Sequence, residues 1–156
     1  MDKDNYTSNV LNALRNCELP DSTLITVVLG VNAPWVSDVR KVAARMPWST
    51  EVMVDVKSMA KLMSNADLAI GAAGSTSWER CTLGLPTIQI ITADNQRFVA
   101  ECLSVVGAVK KLENLDDLPF LISTAMNWMP CVSNICRAVT DGRGADKVVL
   151  KLEALY

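Results

Sequence analysis

The run Asp67-Leu68-Ala69-Ile70-Gly71-Ala72-Ala73-Gly74-Ser75-Thr76-Ser77-Trp78-Glu79-Arg80 puts small and hydroxylated residues where a short apolar strand turns into a helix. Small side chains let a ligand approach the backbone, and a helix N-terminus offers unpaired N–H groups and partial positive charge. Such a turn can hold phosphate without a lysine. A second signal follows it. Leu83-Gly84-Leu85-Pro86 leads into an apolar run that ends at Ala93-Asp94-Asn95-Gln96 before another helix. Two strand–turn–helix units with polar turns on one sheet edge form the kind of crevice in which open α/β sheets bind nucleotides.

Each of these residues also has a reading that needs no ligand. Thr76 and Glu79 stand at the S/T-x-x-E spacing of a capping box, in which Thr76 caps the helix and Glu79 reaches back to a backbone N–H. Alternatively, Glu79 accepts hydrogen bonds from ribose hydroxyls while the turn's N–H groups face a diphosphate. Asp94 or Asn95 can cap the helix that follows. Trp78 is expected in packing, Arg80 is ambiguous, and Met59 and Met63, at helical spacing, are expected in the core.

Composition narrows the chemistry. The 156 residues contain no histidine, so a His general base, a Ser-His-Asp triad and a zinc histidine are all excluded from the chain. The five cysteines (Cys17, Cys81, Cys102, Cys131 and Cys136) are odd in number and lack metal-ligand spacing, which points to reduced, mostly buried thiols and to no metal. A formal net charge of −2 without a basic cluster gives no footprint for nucleic acid. No apolar run approaches a membrane span, and Met1-Asp2-Lys3-Asp4 does not open a signal peptide, so a cytoplasmic protein is expected.

The elements that would position these residues alternate. Residues 5–17 carry helical spacing, Leu24–Leu29 is a β-branched run expected to be a buried strand, and Pro34 stands where a first helical residue would. Strands are expected at 51–56, 66–71 and 87–91, and helices at 58–63, Thr76–Leu83 and 96–106. From Leu112 the pattern turns helical: 115–128, 130–139 and 145–155. Strands and helices at this interval predict an α/β fold, Rossmann-like, with a mostly parallel sheet and helices on both faces, in a single domain over 1–156.

The segment from Asp67 through Pro86, with Asp94-Asn95-Gln96, resembles the C-terminal domain of GT-B sugar-nucleotide enzymes. The nearest resemblance is to the UDP-sugar hydrolases of pseudaminic acid biosynthesis and their spore-coat polysaccharide relatives. Asp141-Gly142-Arg143-Gly144-Ala145 is similar to the start of that family's closing helix. A more distant likeness is to the GlcNAc transferase that makes lipid II. The resemblance implies a UDP-sugar ligand, with Ala73, Gly74, Ser75 and Thr76 against the diphosphate and Glu79 at the ribose. It further implies that the Val56 main chain reads the uracil edge, that Met59 covers the base, and that Asn95 and Gln96 face the sugar and phosphate.

In that hydrolase family, water attacks the anomeric carbon and releases UDP. The family's catalytic histidine lies in a Gly-rich loop of an N-terminal domain, and the sequence contains neither. The resemblance therefore implies the C-terminal half of a two-domain protein, starting after the family's first strand, with no catalytic residue and no cofactor of its own. An N-terminal domain would be its partner, and an open sheet position would invite pairing with another chain. A glycosyltransferase donor-binding domain, a UDP-GlcNAc 2-epimerase and a non-catalytic nucleotide-binding or interaction module are the competing readings.

Overall fold

The computed structural model describes residue 2 and residues 4–154. These fall into two compact units, one formed by Met1–Met59 with Leu112–Asn127, the other by Ala60–Lys111 with Trp128–Tyr156.

In the first unit, helix α1 (Tyr6–Leu14) is closed at its N-terminus by Asp2, whose carboxylate accepts from the amides of Tyr6 at 2.7 Å and Thr7 at 3.0 Å. An acid at that end also meets the positive pole of the helix. Strands β1 (Leu24–Leu29) and β2 (Ser49–Val54) pair in parallel, with Leu24 opposite Ser49 and Leu29 opposite Val54. Between them runs α2 (Val36–Ala43). Helix α6, Leu118–Ser123, packs near α1. Leu11, Leu14, Val27, Leu29, Val39, Leu118 and Ile122 are buried here.

The second unit holds β3 (Ala69–Ala72), β4 (Thr87–Ile90) and, up to Lys111, β5 (Lys110–Leu112), in the order β3-β4-β5, with β3 and β4 parallel. The strand β4 is central and buried at every position. Ile88 at its middle is fully enclosed, a burial that contributes about 1.5–3 kcal/mol. Helices α4 (Thr76–Leu83) and α5 (Arg97–Val105) follow β3 and β4 respectively. The remaining helices are α3 (Met59–Ser64) and α7 (Ala125–Val139), which begin in the first unit and continue into the second, and α8 (Gly144–Glu153). No helix among the described residues is long and apolar enough to cross a membrane.

Strands alternating with helices and parallel pairing are as expected, but the strands hydrogen-bond as two ladders and not one. Other details differ for local reasons. The second strand begins two residues early and stops at Val54, because Asp55 takes a left-handed φ of 56° and turns the chain out of the ladder. Val56 therefore lies beyond the strand. Pro34 precedes the helix N-cap, Trp35, instead of opening the helix. The short β5 was not among the expected strands. The helical stretch after Leu112 breaks at Thr124, and Pro130 lies inside α7. The Thr124 hydroxyl bonds back to the Phe120 carbonyl at 2.8 Å, competing with the helix there. Pro130 removes one donor, but Trp128, Val132 and Cys136 bury the face of α7 around it. The expected end of the last helix, Leu155, lies outside the described residues. Leu24 is exposed at the start of β1, against the expectation of a buried strand.

Candidate nucleotide-binding turn

Parallel pairing of β3 and β4 brings their C-terminal ends to one edge. Ala72 stands opposite Ile90, and the Ala73 amide extends the ladder by donating to the Ile90 carbonyl at 3.0 Å. The turn after β3 and the loop after β4 thus lie side by side.

At the start of α4, the amides of Ser77 and Trp78 donate to the carbonyls of Gly74 and Ser75 at 3.0 and 3.1 Å. The amides of Gly74, Ser75 and Thr76 have no protein acceptor among the described residues. Three consecutive N–H groups are left for solvent or an anion. Ser75, the N-cap, uses no side-chain cap bond, and Ser75, Thr76 and Glu79 are exposed. The capping box is not formed: neither Thr76 nor Glu79 makes a side-chain hydrogen bond among the described residues. Trp78, expected in packing, is 44% exposed, because α4 turns its Ser77–Arg80–Cys81 face to the interior.

In the β4 loop a 3-10 turn over Asp94–Gln96 precedes α5. Gln96 Oε1 accepts from the Thr92 amide at 3.0 Å and from its hydroxyl at 3.1 Å, so this side chain braces the loop and keeps only its amide donors for a ligand. Asn95 is exposed, and Asp94 pairs with Arg97 at 3.0 Å on the surface. Ala73 is buried with its amide in the ladder, so it shapes the turn from beneath.

Beneath the turn lies a polar cluster that sequence reasoning missed. The Arg80 side chain is enclosed, with the residue only 7% exposed. Its Nη2 donates to the Ala72 carbonyl at 2.8 Å and to Ser77 Oγ at 3.2 Å. Ser77 Oγ also accepts from Gln89 Nε2 at 2.8 Å. Gly71 makes room for this arrangement, since a Cβ there would meet Arg80 Nη1 and the guanidinium would have to shift. Arg80 Nε and Gln89 Oε1 are buried without partners, and Arg80 has no carboxylate within ion-pair distance among the described residues. Burial pulls the Arg80 guanidinium below its ordinary range, while Cys81, Glu79 and Cys136 favour its charged form. Only the Gln in the otherwise apolar Thr87-Ile88-Gln89-Ile90 strand hinted at the cluster.

Helix α4 closes with both bonds of a Schellman motif: Leu85 N–H to the Arg80 carbonyl at 2.9 Å, and Gly84 N–H to the Cys81 carbonyl at 2.9 Å. Gly84 takes the left-handed φ of 67° that this ending needs. Val56 and Met59, both half-buried, belong to the first unit; the other seven expected site residues belong to the second.

Among solved structures the chain is similar to MurG from Acinetobacter baumannii, with a TM-score of 0.78 over 99% of its own length. The fold is a Rossmann-like half of the GT-B type. The two sequences are 23% identical, and the chain spans 47% of the MurG chain, about half of it. No family model and no curated protein matches the sequence.

Proposed function

We propose that the chain is the donor-nucleotide half of a GT-B glycosyltransferase-type protein, and that the turn between β3 and α4 holds the diphosphate of a UDP-sugar. The observation that carries this is the set of three adjacent amides, Gly74, Ser75 and Thr76, without protein acceptors at the carboxyl edge of a parallel sheet. The free, exposed carboxylate of Glu79 supports the ribose role, since its competing role in a capping box is absent. Asn95 and the Gln96 amide donors are proposed to face the sugar and phosphate. For Val56 and Met59, in the first unit, the proposed roles are those the resemblance implies, toward uracil.

Likeness to MurG, a GT-B glycosyltransferase, favours donor binding over the narrower expectation of hydrolysis. Hydrolysis by attack of water at the anomeric carbon rests on motif resemblance alone, and both readings need the same donor half. In either, the 156 residues act as one nucleotide-sugar domain opposed by a second domain, because the transition state must be held from two walls.

Titration of the chain with UDP, followed by amide NMR shifts, tests the reading. Expected are saturable shifts centred on Gly74, Ser75 and Thr76. Saturation without movement of these amides would overturn it.

A further inference from the structure

We propose that Arg80 is a positioning residue for the anion: its guanidinium, enclosed behind the β3–α4 turn without a carboxylate partner, supplies the fixed positive charge that fits the turn to a diphosphate over a monophosphate. This rests on the donor-binding reading above.

An enclosed cation is costly unless something compensates it. Here the protein provides two neutral acceptors, Ala72 O and Ser77 Oγ, and leaves Nε without one. The neighbouring Glu79 favours the charged form only from an exposed position, where solvent screens it. A purely structural brace between α4 and β3 would not need a charge, and an apolar side chain of similar length would fill the space at lower cost. The residue is also held in place from the strand side, because Gly71 leaves space for the guanidinium that any Cβ would take. A diphosphate at the free amides of Gly74, Ser75 and Thr76 would complete the missing charge balance. Because Nη2 bonds the carbonyl of Ala72, two residues before the first free amide, the charge and the amides act on the ligand from one rigid segment.

The test is calorimetric titration at fixed ionic strength with UDP, UMP and uridine, against the unaltered chain, Arg80→Met, Arg80→Lys and Gly71→Ala. Circular dichroism identifies the variants that fold. Loss of one nearby charge is expected to lower UDP affinity about tenfold in Arg80→Met, UMP affinity less, and uridine affinity not at all. Arg80→Lys should recover part of the preference for UDP. Gly71→Ala retains the charge but displaces it, and should also narrow the gap between UDP and UMP; it carries the test if Arg80→Met does not fold. Equal losses for all three ligands, or an unchanged UDP-to-UMP ratio in the folded variants, would overturn the proposal and leave donor binding intact. No UDP binding by the unaltered chain would overturn both.

Discussion

Gln89 Nε2 donates to Ser77 Oγ at 2.8 Å, joining the middle of β4 to the first turn of α4 through two residues that are 0% and 1% exposed. The same oxygen accepts from Arg80, so a single hydroxyl satisfies two buried donors and fixes where the turn between β3 and α4 sits. Ser77→Ala would strand the Gln89 amide and leave Arg80 Nη2 with the Ala72 carbonyl as its one acceptor. A loss of about 1–3 kcal/mol per stranded buried group is expected in urea unfolding, and Gln89→Leu in the Ser77→Ala background should recover part of it. Additive losses in the double variant would show that the two residues do not act as a pair.

Ligand binding should register in stability. A nucleotide at a hundredfold excess over its Kd stabilises a folded protein by about 2.7 kcal/mol. UDP is expected to raise the melting temperature well above the shift given by AMP at the same concentration. Equal shifts would count against a uridine-reading site.

Glu79 separates the ligand role from the capping role. Since its carboxylate caps nothing in the structure, Glu79→Gln should leave the unfolding free energy from urea titration within about 0.5 kcal/mol of the unaltered chain. UDP affinity, measured by titration, should fall. A fall in stability with unchanged affinity would return Glu79 to a structural role.

Alkaline pH should destabilise the fold through its thiols. Burial pushes Cys17 up; in the Cys81–Cys136 pair the shared hydrogen bond pushes Cys136 up and Cys81 down, so their effects oppose and Cys17 carries the prediction. A group raised in the folded state stabilises below its unfolded value and loses that contribution as pH rises, because the unfolded thiol ionises first, near pH ~8.5. Denaturant midpoints should therefore drop from about pH 8.5 upward. Cys17→Ala should flatten that decline. On the acid side, Lys147 holds Asp141 low, so its small surface contribution is present above the ordinary carboxylate range and disappears as pH falls through it.

Gly84 tests the end of α4. Its left-handed φ of 67° disfavours any side chain, and a Cβ there would collide with Arg137. Gly84→Ala is expected to cost more than about 1 kcal/mol in thermal unfolding. A neutral result would mean the Schellman ending relaxes freely.

The sequence by itself determined local elements: Leu24–Leu29 and Thr76–Leu83 lie where their residue patterns put them, and the small-residue turn falls between strand and helix. Period and turn chemistry act over a few neighbouring residues, so they are written in the chain's order. Tertiary structure decided the rest. Whether Thr76 and Glu79 form a cap depends on which amides the turn's own carbonyls reach, and Pro130 stays helical because packing on Trp128, Val132 and Cys136 offsets one lost donor. The Arg80–Ser77–Gln89 cluster joins residues from two elements, and in sequence Arg80 is ambiguous. Only the approach of α4 to β3, across a glycine with no Cβ, encloses it. Burial of a charge is a property of the surroundings, and no residue type or spacing records it.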